Sequence, residues 1–151
     1  MVTSEDILSE IFQININGIN PKVQKQRIKL QTLSEIITES ENKIPFFILT
    51  ETHLKDYIFD AEVSIPDYTL LRADRDSRKN GGVAMYAHHT FSLDDTQTFT
   101  NKFCEATMAY NKQTGLVIIG IYKPPDAPVN KLKECPESIQ SFKNKYKMQR
   151  H

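Results

Sequence analysis

The chain lacks three things, and each absence removes a class of protein. Charge of one sign is not in excess: 19 Lys and Arg balance 19 Asp and Glu over 151 residues. Such a sequence has no strong overall electrostatic footprint for nucleic acid. The balance is uneven along the chain, with 12 basic and 16 acidic side chains through Tyr122 and then 7 basic and 3 acidic from Lys123 onward. Any DNA contact is therefore expected from a local site or from the basic tail, where non-specific binding would fade quickly with salt. Cysteine is scarce: Cys104 and Cys135 lie far apart and form no CxxC pair, so neither a zinc site nor a disulfide framework is indicated and both read as free thiols. Long apolar runs are missing too, since none approaches the roughly 20 residues of a membrane span. The opening Met1-Val2-Thr3-Ser4-Glu5-Asp6 lacks the basic-then-apolar order of a signal peptide. The expectation is a soluble, intracellular protein without a membrane partner.

What is present suits one ordinary domain with a real core. Apolar and amide side chains alternate in Phe12-Gln13-Ile14-Asn15-Ile16-Asn17-Gly18, the period-two signature of a strand. Asn20-Pro21 then offers an N-cap and a first-turn proline, and Leu30, Leu33, Ile36 and Ile37 recur at helical spacing. A helix from Pro21 to Asn42 follows. Pro45-Phe46-Phe47-Ile48-Leu49 is continuous rather than alternating, as expected of an interior strand covered on both faces. Strand, helix, strand implies a parallel crossover. Two hairpins come next: Tyr68 to Ala73 with Gly82 to His88, then Cys104 to Tyr110 with Leu116 to Tyr122. Residue pattern alone gives an α/β chain with a single mixed sheet of about six strands and one long helix. The ordered domain would span 11–128, and 129–151 would form a Lys-rich tail, helical or disordered.

Three polar residues end apolar strands: Asn15, Glu51 and Tyr122. Strands of one direction deliver their ends to one edge of an open sheet, where ligands bind. Each residue also has a plain reading: Asn15 as a turn former, Glu51 as a solvated strand end, Tyr122 as a half-buried ring. His53 shares the Glu51 motif and would face the same way only if the strand persisted. His88 and His89 close a strand toward water. Arg72, Arg75, Arg78 and Lys79 read either as phosphate contacts or as a solvated hairpin turn.

Four segments in order, QININGIN (Gln13 to Asn20), ILTETHL (Ile48 to Leu54), RADRDSRKNGGVAMY (Arg72 to Tyr86) and IIGIYKPP (Ile118 to Pro125), resemble the endonuclease domain of non-LTR (LINE-type) retrotransposons. That domain belongs to the endonuclease/exonuclease/phosphatase superfamily. The resemblance implies the first half of a two-layer sandwich of mixed sheets flanked by helices, and a Mg²⁺-dependent enzyme that cleaves DNA phosphodiesters. By motif match it assigns Asn15 to a position near metal and phosphate, Glu51 to the metal carboxylate, and Tyr122 to the scissile phosphate. An oxygen-ligated Mg²⁺ held by one carboxylate, substrate and several waters agrees with that set.

The departure from the family matters equally. The family continues with Gly-Asp-Phe-Asn and ends in Ser-Asp-His. After Tyr122 this chain has one aspartate, Asp126, and one histidine, His151, neither in a matching motif. The general base and the second group of charge stabilisers are missing, so a truncated domain with weak or vestigial Mg²⁺ binding and no hydrolysis on its own is expected. The alternatives are a non-catalytic nucleic-acid or interaction module, self-associating through a sheet face left uncovered, and a degenerate reading frame without function.

Overall fold

The computed structural model describes residues 12–41, 44–75, 80–124 and 134–147, with side chains from 136 onward in the last segment. The expectations for Arg78, Lys79, Asp126, Cys135 and His151 fall outside the described side chains.

Strands β1 (Phe12–Asn15), β2 (Phe46–Thr50), β3 (Tyr68–Ala73) and β4 (Val83–His88) form one sheet in the order β1-β2-β4-β3. β1 and β2 run parallel, joined by helix α1 (Gln24–Glu39), while β4 is antiparallel to both its neighbours. β5 (Asp95–Thr100), β6 (Glu105–Asn111) and β7 (Leu116–Tyr122) form a second, antiparallel sheet. Helix α2 (Glu134–Lys147) follows.

Alternation along the strands explains the layers. In β2, Phe47 and Leu49 turn one way and meet Leu30 and Ile37 of α1; Phe46 and Ile48 turn the other way and meet Ala109 and Ile118 of the second sheet. All five β2 residues are buried, which is why the run is continuously apolar. The outer face of the second sheet, Ala106, Met108 and Tyr110, carries α2 through the fully buried Phe142. The Tyr146 ring stacks on Tyr110 with centroids 3.8 Å apart. The layers run helix, sheet, sheet, helix, and each fully buried Phe, Leu, Ile or Met contributes about 1.5–3 kcal/mol of burial.

Two sheets replace the single one read from residue pattern, in keeping with the two-layer expectation. The seventh strand is β5, whose Asp-Thr-Gln-Thr-Phe-Thr sequence is too polar to stand out because one of its faces is exposed. The second sheet also covers the face of β2 and β4 that was expected to lie open. What stays open is an edge: β1 is exposed along its length, with Phe12 at 50% and Ile14 at 38%.

Smaller expectations also change. Helix α1 starts at Gln24 because Asn20-Pro21 forms a turn of its own: Asn20 Oδ1 accepts the Lys22 N–H at 2.9 Å and Asn20 O accepts the Val23 N–H at 3.0 Å. Cys104 is disulfide-bonded, not a free thiol. His88 is buried against Tyr68, whereas His89 faces water. Arg72 turns inward, donating to the carbonyls of Ile58 and Lys55 at 2.6 and 2.7 Å and pairing with Asp74 and Asp60. It clamps the segment after β2 against β3 and is not placed for a DNA backbone. Among the described residues no helix is long and apolar enough to cross a membrane.

Candidate active site at the strand ends

Parallel pairing puts the ends of β1 and β2 side by side, with Asn15 in register with Thr50 and Glu51 next in the chain. Beyond Thr50 the chain leaves the strand at once, with Glu51 at φ +56° and His53 at φ +60°. Left-handed backbone at residues with a Cβ costs of order 1–3 kcal/mol and persists only where the surroundings over-determine it. Here they do: Gly18 N–H donates to Glu51 O at 2.8 Å, Ile19 N–H to Thr52 O at 2.9 Å, and His53 N–H to Gly81 O at 2.9 Å. The loop is held from both sides, and Glu51 is presented by a turn rather than by a continuing strand.

The third residue arrives from the other sheet. In β7 the inward row is Ile118, Gly120 and Tyr122, so Tyr122 stands at its end facing β2. A Cβ at Gly120 would lie 2.8 Å from Thr107 Oγ1 and 2.9 Å from Ile48 Cγ2; only a hydrogen there lets the two sheets approach this closely. The Tyr122 hydroxyl donates to Glu51 Oε1 at 2.6 Å, and the Asn15 amide also hydrogen-bonds the Glu51 carboxylate.

The ionisation states follow. The Tyr122 bond is the main influence holding Glu51 below the ordinary carboxylate range; burial opposes it, and Asn15, His53 and Arg75 assist. Burial, and then the Glu51 bond and charge, push Tyr122 up to about 12. At neutral pH the pair is a carboxylate accepting from a neutral phenol. The His53 ring acts on Glu51 only through its charge, and its own pKa is lowered, chiefly by burial.

Asn15 and Tyr122 line a cleft of about 660 Å³ between the edges of β1 and β7, with Gln13, Thr50, Ile121 and Lys123. Asn15, Glu51 and Tyr122 are thus brought together, whereas Arg72, His88 and His89 are elsewhere. Two residues beneath the site had other readings from sequence: Arg75, read as a phosphate contact or a solvated turn residue, and Glu105, one of an alternating row. Both are buried. The signal of Glu105 was a charge in one row of a strand, which cannot be told from an outward row until the second sheet is in place, and Arg75 lies past the end of β3, where no strand period applies.

A Mg²⁺ ion can be tested against this donor set. One carboxylate and one amide are at hand, and among the described residues no group of three or more His, Cys, Asp or Glu side chains could hold a metal. The set suits an ion that keeps its waters and leans on substrate phosphate, and does not suit an all-protein cage.

No protein-family model matches the chain, and no curated protein is similar to it. Solved structures are. A 3′ phosphatase, NExo, from Neisseria bound to a product DNA hairpin superposes with a TM-score of 0.57 at 18% identity, covering 93% of this chain and 53% of that one. Truncated Caenorhabditis elegans TDP2 superposes with a TM-score of 0.54 at 10% identity, covering 87% and 55%. At such identities the likeness establishes the fold, an endonuclease/exonuclease/phosphatase fold. The chain spans about half the length of the structures it matches.

Proposed function

We propose that these 151 residues supply the Glu51 half of a Mg²⁺-dependent DNA phosphodiesterase site of retrotransposon-endonuclease descent, and that they do not hydrolyse DNA by themselves. The convergence of Asn15 and Tyr122, from two separate sheets, on Glu51 beside the cleft that both of them line is the observation that carries this reading. Ionised Glu51 would hold the metal, with the Asn15 amide beside it. The ion would polarise a phosphoryl oxygen and acidify a bound water. The Tyr122 phenol, neutral at physiological pH, would give its proton as a hydrogen bond to a phosphate oxygen in place of Glu51 as negative charge grows there. Among the described residues no group of three or more His, Cys, Asp or Glu gathers here, and His53 reaches Glu51 only through its charge, so the reading assigns the water no general base. Phosphatase and DNA in the name of the Neisseria structure agree with a phosphate-directed cleft.

Supercoiled plasmid with Mg²⁺ tests the reading. The isolated chain should leave the plasmid intact, while NMR of labelled glutamate should register Mg²⁺ at Glu51 and lose that response in Asn15→Ala. Nicking that disappears in Glu51→Ala would overturn the claim of inactivity. No Mg²⁺ response at Glu51 would overturn the claim of a metal site.

A second reading, an interaction module, is favoured by the exposed β1 edge, where Phe12 and Ile14 stand open. Unpaired edges with apolar side chains invite pairing with another chain. Concentration-dependent association in sedimentation that is abolished by Ile14→Lys would support it.

A further inference from the structure

Below Tyr122 and Glu51 lies a pair of opposite charges that the proposed chemistry does not use. Glu105 opens β6 in register with Tyr122, and its side chain is wholly buried. Its Oε1 accepts the Gly82 N–H at 2.6 Å and stands 3.4 Å from Arg75 Nε. Arg75, its side chain only 8% exposed, lies with its guanidinium carbon 5.6 Å from the centroid of the Tyr122 ring. Gly81 makes room for both: a Cβ there would come within 2.5 Å of Arg75 Nε and 2.7 Å of Glu105 Oε1. The loop entering β4 and the paired ends of β6 and β7 therefore meet at this pair.

Stability alone is a poor reason for such an arrangement. Arg75 Nε and Nη2 and Glu105 Oε2 are buried without hydrogen-bond partners. A buried ion pair whose remaining donors and acceptors go unmet is often no more stable than apolar residues of the same volume. Burial also raises the Glu105 carboxyl above its ordinary range, against the Gly82 bond and the Arg75 charge that lower it. What apolar residues would not provide is a flat cation on the inner side of the Tyr122 ring, aligned by a carboxylate in the neighbouring strand.

We propose that Arg75 and Glu105 are positioning residues: Glu105 fixes the Arg75 guanidinium against the Tyr122 ring, and Arg75 in turn sets where the phenol meets Glu51. The proposal rests on the reading of Tyr122 and Glu51 as the chemistry-bearing pair, but its test requires no activity.

The test follows the titrations of Tyr122 and Glu51 by NMR in ¹³C-labelled protein with Glu105→Gln, Arg75→Met and the double variant. Glu51 is faced by Tyr122, Asn15, His53 and Arg75, and Tyr122 by Glu51, Arg75 and Glu105. Loss of the Arg75 cation should move both titrations upward, and the double variant, which leaves no orphaned buried charge, should do the same at Glu51 while folded, with a smaller move at Tyr122 because the Glu105 charge that raises it is gone too. Glu105→Gln, near-isosteric and still able to accept from Gly82, should keep the fold and change the Tyr122 ring shifts as Arg75 is released. Arg75→Lys should restore part of the Glu51 titration through its charge but not the ring shifts, for want of a planar group. Wild-type titrations and ring shifts in the folded double variant would overturn the proposal. Loss of the fold in all three would overturn it too, since the pair would then serve the fold and not the site. If wild-type Glu51 showed no response to Mg²⁺ while this coupling persisted, the metal reading would fail and the positioning pair would stand.

Discussion

Tyr122→Phe removes one oxygen atom and, with it, the side-chain bond between the sheets at the rim of the cleft. The ring, and with it the contact to Arg75, remains. A hydrogen bond to a charged group contributes roughly 1.5–3 kcal/mol when shielded, and partial exposure of both partners brings the expected loss to about 1–1.5 kcal/mol. For a chain of this size that lowers Tm by about 2–6 °C. The loss should depend on pH in a fixed direction. Glu51 is held below its unfolded value of 4.5, with Tyr122 as the main cause. A depressed carboxyl contributes stability that is fully present above the unfolded value and lost as pH falls through the folded one. Urea unfolding of both proteins should therefore show the full difference at about pH 7 and a shrinking one in acid, as pH falls through the lowered folded value. Equal penalties at neutral and acid pH would mean that the substitution disturbs packing rather than a bond to a carboxylate. No penalty at neutral pH would mean that the bond itself is not formed in solution.

Gly120→Ala should cost about 1–3 kcal/mol, because its methyl group meets Thr107 of the neighbouring strand and Ile48 and Val83 across the sheet interface; an unchanged urea midpoint would show that the sheets do not approach so closely. Phe142→Ala should cost about 3–5 kcal/mol in the same assay, since the ring is the fully buried anchor of α2. A loss below about 1 kcal/mol would place that helix outside the cooperative unit. Arg72→Ala should destabilise by about 3 kcal/mol by stranding Asp74 and two carbonyls, yet leave any DNA affinity unchanged at matched salt. A selective loss of DNA binding by a folded Arg72→Ala protein would restore it as a phosphate contact.

Much of the site was legible in the chain because it depends on where strands stop. The run Phe46 to Leu49 followed by Glu51 marks an interior strand and its exit, and the run Leu116 to Ile121 followed by Tyr122 marks another. The two hairpins and the strand-helix-strand crossover were legible for the same reason: period and turn residues act over a few neighbours. β5 was not, since a strand with one wet face and several threonines has the composition of a loop. Nor was the start of α1, where Asn20 satisfied its side chain in a local turn instead of capping the helix.

The sequence by itself determined every described strand except β5, which residues alternate along them, and that Asn15, Glu51 and Tyr122 fall at or just past their ends. Alternation says that Glu105 and Thr107 share a face. It does not say whether that face meets water or another sheet. Only the tertiary structure decided that the face is interior, that Arg72 and Arg75 turn inward, and that Tyr122 of one sheet reaches Glu51 of the other. Those outcomes depend on contacts between residues as many as 71 positions apart, which no local period encodes.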